Sequence, residues 1–573
     1  MFKDLINRNT ISQDFTAGLV LGVESVPSGI ATGLLALVNP LYGLYAYMTG
    51  VATGAFFTSS VFMSVQGTSA MALVVASVPQ VISGPNKDAS LFALAILTGI
   101  IMLGAGLLKL GSLVRFVPNA VMAGFVNAVA INIILGQLNN FTGYSSSGPN
   151  QIAKAINLLR NWDKIDQATL MVGIVTIILI VTLEKTRLKA MGLVVAIIVA
   201  SLLVPLFNAD TVALVSAEAT IPSTLPRPVL PPLSLFPALI IPAFSLAFVG
   251  LVQGTGVSKN FVNPDGSYPD SSQDFSGQGI ANLVAGLFQG MPVGGSMSAT
   301  SLVTNAGARS RLANIIAGVV MAVIILLFGT AVGKIAMPCL AALLIVIGFR
   351  TLKPEQARTV WRTGLIQQTV MGLTFIACIL IPLQYAVLLG VALAILLFVV
   401  QQSNKIVIKQ WTRPEGDFFV EVEPPAVVPA HEITFLVTYG SLFFATAPLF
   451  EKHLPQITQE TDTAVVILAL RGESEMGSTF FSVLERYANK LKEHNSKLLL
   501  SGVTPQVQTQ LVRTGLIEVI GRGNTYLWTE YVGQSGVLAW ADAERWLENN
   551  GHPVADHTPI KGPFPTKASE EAE

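Results

Sequence analysis

The chain has 573 residues, of which 52% are hydrophobic and 12% charged, with 34 basic residues against 34 acidic ones. With a mean hydropathy of +0.62, that composition excludes an ordinary soluble globular protein and points to a polytopic membrane protein, while the zero net charge argues against a nucleic-acid binder. Apolar stretches near or above the ~17 residues needed to span a bilayer recur from Thr16 to Val400. In chain order, spans are expected near Thr16 to Leu37, Leu41 to Val61, Gln66 to Val78, Ala89 to Leu108, Leu113 to Leu135, Ala168 to Leu183 and Ala190 to Phe207. The second half adds Phe236 to Val257, Gln278 to Gly290, Gly295 to Val303, Asn314 to Val332, Met337 to Ile347, Gln368 to Ile381 and Ala386 to Val400. About fourteen segments divide as seven plus seven, and a repeat with an odd number of spans must be inverted across the membrane. The proline-rich connection Asn208 to Leu235 reads as the join between repeats, and Met1 to Asp14 shows no cleavable pattern, which leaves the first run as a span.

A cytoplasmic N-terminus puts Lys109, Arg115, Lys185, Arg187, Lys189, Arg309, Arg311, Arg350, Lys353, Arg358 and Arg362 inside, as the positive-inside rule expects. Lys334 and the mixed loop Asn139 to Gln167, with Lys154, Arg160 and Lys164, then fall outside. The expectation is an integral plasma (inner) membrane protein with both termini cytoplasmic.

Two of the segments are interrupted by small and polar residues, Gly67-Thr68-Ser69-Ala70 and Gly295-Ser296-Met297-Ser298. Each break precedes a run able to be helical, Met71 to Ala76 and Ala299 to Val303, so each starts a half-helix whose N–H groups point at the break. A helix N-terminus is a ready anion site, because its first amides are unpaired and the dipole is positive there. Two such starts at corresponding places are the pattern of an inverted-repeat secondary transporter. Small residues that merely allow close helix packing are the competing reading, and it explains one break more easily than two.

Glu24 lies inside the first span, nearly a turn before Pro27, and an ionisable group at that depth is a functional candidate. His431, His453, His494, His552 and His557 all follow the spans, so no histidine relay crosses the membrane. Cys339 and Cys378 sit in apolar runs and read as packing residues. No metal-ligand spacing, phosphate-binding loop or nucleophile-and-base set is recognisable, so an enzyme, an ATP-driven pump and a resident cofactor or metal are not expected.

After Gln401 the chain turns polar. The expected division is a transmembrane domain over 1–403, a linker over 404–432, an α/β domain over 433–548 and a disordered acidic tail over 549–573. Strands are expected at Ile433 to Thr438, Leu442 to Thr446, Ala464 to Leu470 and Lys497 to Ser501, with helices at Pro448 to Gln459, Ser478 to Glu493 and Pro505 to Arg513.

The stretch from Gln273 to Ala313 closely resembles the SulP (sulfate permease, SLC26) anion transporters. The likeness lies in Gln273-Asp274, Gly279-Ile280-Ala281-Asn282, Gly290-Met291-Pro292-Val293-Gly294-Gly295-Ser296 and Asn305-Ala306-Gly307-Ala308-Arg309. Pro40-Leu41-Tyr42-Gly43-Leu44-Tyr45 adds to it, and Gly440-Ser441-Leu442-Phe443-Phe444-Ala445 with Val465 to Gly472 is similar to the STAS domain of that family. The resemblance implies an α-helical polytopic membrane protein of about fourteen segments in a UraA/SLC26-like inverted repeat, with core and gate bundles and a small cytoplasmic α/β STAS domain. It also implies a small inorganic anion of the sulfate, bicarbonate or chloride type, held between the third and tenth segments and carried by elevator-like movement in a lipid-embedded homodimer.

On that reading Thr68, Ser69 and Ala70 supply one end of the substrate site and Gly295, Ser296, Met297, Ser298 and Ala299 the other, with Ser28 of the first span beside them. Amides and hydroxyls hold an anion weakly enough to release it, which a full cation in low dielectric does not. Some relatives carry an arginine at the position of Ala299, and often a glutamine at that of Ser28. Many bacterial relatives carry a glutamate where this chain has Gln253, which neither titrates nor supplies charge for a sodium ion. Glu24 and Gln253 are therefore the coupling candidates, with Glu24 taking over coupling to a proton or sodium ion; a water-facing or lysine-paired structural carboxylate is the alternative. In the STAS-like part Gly477 stands where the family places an aspartate, and Ser478 is either a helix cap or a phosphorylation switch. The rival readings are a nucleobase or organic-anion transporter of the same fold and a membrane sensor that no longer transports. Nucleobase carriers usually place carboxylates in the eighth and tenth segments, where this chain has Gln253 and no acid between Gly290 and Asn305.

Overall fold

The computed structural model describes residues 10–111, 117–148, 150–186, 188, 191–206, 211–218, 223–403, 405–412, 420–470, 473 and 475–552. Arg115, Arg187 and Lys189 of the orientation argument, Gly472 of the STAS-like motif and the expected tail from 553 onward lie outside the described residues. The chain forms two units, Met1–Ala394 and Ile395–Glu573.

In the first unit, α1 (Ile11–Leu35) contains Pro27. α2 (Pro40–Phe57) starts where proline fixes φ and the Asn39 side chain accepts from the Leu41 amide at 3.0 Å. β1 (Ser64–Gln66), α3 (Ser69–Val75), the one-turn α4 (Pro79–Ile82), α5 (Lys87–Leu107) and α6 (Asn119–Thr142) follow. The loop expected from Asn139 to Gln167 holds the amphipathic α7 (Gln151–Arg160), after which come α8 (Gln167–Leu183), α9 (Met191–Leu206) and α10 (Val215–Glu218). The second half supplies α11 (Phe236–Asn260), α12 (Ser271–Leu287), β2 (Gly294–Ser296), α13 (Met297–Asn305), α14 (Leu312–Val332), α15 (Met337–Thr351), α16 (Pro354–Thr363), α17 (Leu365–Leu380) and α18 (Leu383–Ser403). α12 begins a full turn and more before the expected Gln278, because the Asp270 carboxylate caps the Ser272 and Gln273 amides at 2.7 and 3.1 Å.

Among the described residues, six helices are long and apolar enough to cross a membrane, and four shorter apolar helices accompany them. Their outward faces carry uncovered apolar side chains, such as Met171, Ile174 and Ile178 on α8 and Val323, Leu327 and Phe328 on α14, which suits lipid as the solvent. Helix contacts fall into two groups. α1 packs on α14 as α11 packs on α5, and α2 packs on α14 as α12 packs on α5, the exchange an inverted repeat requires. The second group joins α6 with α15 and α17, and α8 with α9 and α15. These are a core bundle holding both breaks and a gate bundle. Close approach in the core rests on small residues: a Cβ on Gly43 of α2 would lie 2.1 Å from the Gly29 carbonyl oxygen of α1.

The second unit is built on a six-stranded sheet of order β4-β3-β5-β6-β7-β8. β3 (Val407–Thr412) pairs antiparallel with β4 (Val420–Val422) and with β5 (Ile433–Tyr439), while β5, β6 (Val465–Ala469), β7 (Lys497–Val503) and β8 (Thr525–Leu527) are parallel neighbours. The stretch expected as a linker thus contributes two strands. Leu442 to Thr446, expected as a strand, is a turn that precedes α19 (Ala447–His453), itself shorter than the expected Pro448 to Gln459. α20 (Ser478–Glu493), α21 (Pro505–Arg513) and α22 (Leu516–Ile520) join α19 on the face carrying Leu436, Val466, Leu468 and Leu500. α23 (Gln534–Asn549) covers the alternate residues Phe435, Val437, Ile467 and Leu499 on the other face, as the two-residue period of a strand dictates.

Candidate functional site

The two breaks meet. β1 and β2 pair antiparallel in the register Ser64 with Ser296, Val65 with Gly295 and Gln66 with Gly294. Three paired residues at about 3.3 Å each make a ribbon roughly 10 Å long, and a short helix leaves each end of it. Thr68 caps α3, its Oγ1 accepting from the Met71 amide at 3.3 Å, and Ser296 caps α13, its Oγ accepting from the Ala299 amide at 3.3 Å. The half-helices therefore begin at Ser69 and Met297, two residues earlier than their apolar runs suggest. The ribbon itself is not legible in the sequence, because three residues on each strand are too few to carry a strand pattern. Glycine makes its packing possible: a Cβ on Gly295 would lie 2.8 Å from the Gly254 Cα of α11, and one on Gly67 would lie 2.9 Å from the Tyr47 ring.

Around the ribbon the polar side chains find one another. Thr68 donates to the Gln253 side-chain oxygen at 2.8 Å, joining the start of α3 to α11. Ser28 donates to Glu24 at 2.8 Å, one turn along α1, and the adjacent Ser25 accepts from Gln66 Nε2 at 2.8 Å. Ser296 and Ser298 hydroxyls lie 3.2 Å apart. Ala70 and Ala299 are buried, Ser69 is half-buried, and Met297 and Ser298 are exposed. No direct bond joins Glu24 to Gln253 among the described residues. Nor does any lysine or arginine pair with Glu24 among them; Lys259 lies exposed at the C-terminal end of α11.

A second layer, missed in the sequence, fixes the ribbon. The Gln278 side-chain oxygen accepts from the Gly295 amide at 2.9 Å, and Asn282 bonds both the amide and the carbonyl of Val293. Thr300 accepts from the Ser64 amide at 3.1 Å, and Asn314 accepts from the Ser64 hydroxyl at 2.7 Å. Asp274, fully buried, accepts from the Ser59 and Ser60 amides at 2.7 and 2.9 Å and from the Ser258 hydroxyl at 2.5 Å. The Arg311 guanidinium donates to the carbonyls of Ala55, Thr58 and Ser59, closing the same turn from the other side. Asp14, equally buried, accepts from the Arg309 and Ser310 amides at 2.7 and 2.9 Å ahead of α14. The signal available was the presence of Asp, Asn, Gln and Arg inside or beside apolar segments, where each must be paired.

A cavity of about 430 Å³ lies elsewhere, between the Leu37 and Asn39 end of α1 and α2, the Lys87 and Asp88 start of α5, Asn140 of α6 and Met337 of α15. None of the expected site residues lines it. In the second unit, Gly477 occupies the cap position of α20, and Ser478 is its exposed first residue without a capping hydrogen bond. The structure thus gives the cap position to Gly477 rather than to Ser478. Nearby, burial pushes the Glu473 carboxyl above the usual carboxylate range.

The sulfate permease family model matches residues 11–374, and the STAS domain model matches residues 425–530. A Mycobacterium tuberculosis protein named probable sulfate transporter Rv1739c is 27% identical over 542 residues, covering 91% of this chain and 94% of its own length. The murine solute carrier 26 family member A9 anion transporter, solved in the inward-facing state, matches with a TM-score of 0.84 at 19% identity over 94% of this chain and 93% of that one. The transmembrane domain of the cyanobacterium bicarbonate transporter BicA matches with a TM-score of 0.58 at 20% identity, covering 68% of this chain and 99% of that domain. A paired-break core, a helical gate and a C-terminal sheet unit in one chain thus have a shared origin: the chain belongs to the sulfate permease family of membrane transporters, not to an enzyme family, and carries a STAS domain after its helical membrane region.

Proposed function

We propose that the protein is a secondary transporter of a small inorganic anion, of the sulfate, bicarbonate or chloride type, held at the ribbon between the starts of α3 and α13. The observation that carries this reading is the pair of capped half-helices, Thr68 and Ser296, meeting in one antiparallel ribbon lined by hydroxyls. Thr68, Ser69, Ala70, Ser296, Met297, Ser298 and Ala299 contact the anion through amides and hydroxyls, with Gly295 allowing close approach and Ser28 bounding the site from α1. Separation of the helix contacts into core and gate bundles supports elevator-like movement of the core, with its site, past the gate. Relatives named for sulfate and for bicarbonate support the substrate class.

In this reading Glu24 couples transport to a proton or sodium ion, and Gln253 holds Thr68 in place without titrating. The protein works as a homodimer in the plasma (inner) membrane, both termini and the STAS domain on the cytoplasmic side. Its transport domain spans 1–403 and its STAS domain includes the sheet that starts with β3 at Val407, with phosphorylation of the exposed Ser478 as a regulatory role. Purified full-length protein in liposomes tests the reading. Saturable uptake of a labelled inorganic anion is expected; protein-independent leakage alone contradicts it.

A further inference from the structure

We infer that the outward face of α16 is a binding site for the headgroups of acidic phospholipids. α16 follows α15 directly and leads through Gly364 into α17, both apolar helices, so its charged turns lie at their shared end. Its backbone is tied at both ends: the Lys353 amide donates to Asn127 of α6 at 2.9 Å, and Gln368 of α17 donates to the Trp361 carbonyl at 2.6 Å. Val360 turns inward and is buried. The opposite face presents Arg358, Trp361 and Arg362, spaced i, i+3, i+4, with Trp361 57% exposed.

A face turned to water alone has no use for an uncovered tryptophan, and an apolar contact with a neighbouring helix has no use for two guanidinium groups. An interface has use for both. Indole settles at headgroup depth, and guanidinium pairs bidentately with a phosphodiester. The segment from Arg350 to Leu365 holds Arg350, Lys353, Arg358 and Arg362 against a single acid, Glu355. Arg350 is occupied by Glu184, which follows the last residue of α8. Glu355 lies 3.7 Å from Arg358 with both side chains exposed, a pair too screened to withhold Arg358 from a phosphate.

The inverted repeat supplies an internal control. α7 follows α6 as α16 follows α15, and its exposed stripe is Ile152, Ile156 and Leu159, with Trp162 exposed in the turn that follows. There the cations Lys154, Arg160 and Lys164 are offset by Asp163 and Asp166. The exposed face of α7 is thus apolar with offset charge, and that of α16 carries an excess of cations.

The test uses the full chain in nanodiscs, with tryptophan quenching by brominated phosphatidylglycerol and by brominated phosphatidylcholine, and the part due to Trp361 taken from the difference with Trp361→Phe. Preferential quenching by the acidic lipid is expected, falling as salt rises. Arg358→Gln with Arg362→Gln should lower that preference by about 25-fold, at about fivefold per charge, while Arg358→Lys with Arg362→Lys retains most of it. Lys154→Gln with Arg160→Gln on α7 leaves the preference unchanged. Equal quenching by the two lipids, no quenching of Trp361 by either, or a preference that survives loss of both arginines overturns the inference.

Discussion

Thr68 donates its hydroxyl to the Gln253 side-chain oxygen at 2.8 Å, so the residue that caps α3 is held by α11. The bond orients Thr68 with its remaining acceptor capacity toward the Met71 amide. Gln253→Ala removes the acceptor without touching the proposed contact residues. At the usual ~1 kcal/mol for such a bond, anion half-saturation should rise about fivefold with little change in maximal rate. Concentration-dependent uptake in liposomes checks this.

Glu24 makes its hydrogen bond with Ser28 and pairs with no cation among the described residues. Glu24→Gln keeps the shape and removes titration, so any dependence of uptake on an imposed proton or sodium gradient should vanish while anion exchange persists. Gradient dependence that is unchanged in the mutant assigns coupling to another group.

Ala299 is buried just beyond the Ser296 cap. Ala299→Arg introduces a cation beside the ribbon, where low dielectric strengthens its hold on an anion. Half-saturation should fall and turnover should fall with it, because release slows. Initial-rate measurements resolve the two effects.

Asp274 satisfies two backbone amides and two hydroxyls, those of Ser59 and Ser258, at full burial. Asp274→Ala strands those donors and should cost about 3 kcal/mol, whereas Asp274→Asn keeps one acceptor oxygen and should cost less. Gln273→Ala, at the neighbouring exposed position, should be near neutral. Thermal unfolding in detergent should rank the three in that order.

The breaks at Gly67 and Gly295 were legible because glycine and hydroxyl residues inside apolar runs are costly unless they serve a site. The most regular helices were legible for the same reason that α20 and α21 match their expected limits: period and flanking residues agree. What escaped depends on distant partners. β3 pairs Gln410 with Leu436 of β5, and no local pattern in the expected linker announces that pairing. The Asp274 and Arg311 grip on Thr58 to Ser60 likewise joins segments more than 200 residues apart. α7 and α16 were read as charged loops because each is only ten residues long and carries charges among its apolar positions.

Uptake of labelled sulfate, bicarbonate, chloride and uracil into liposomes holding the full-length protein, under imposed proton, sodium and chloride gradients, tests the central claim most directly. Saturable uptake of at least one inorganic anion, weakened by Gln253→Ala, is the predicted result. Uptake of uracil with no inorganic anion carried would contradict it.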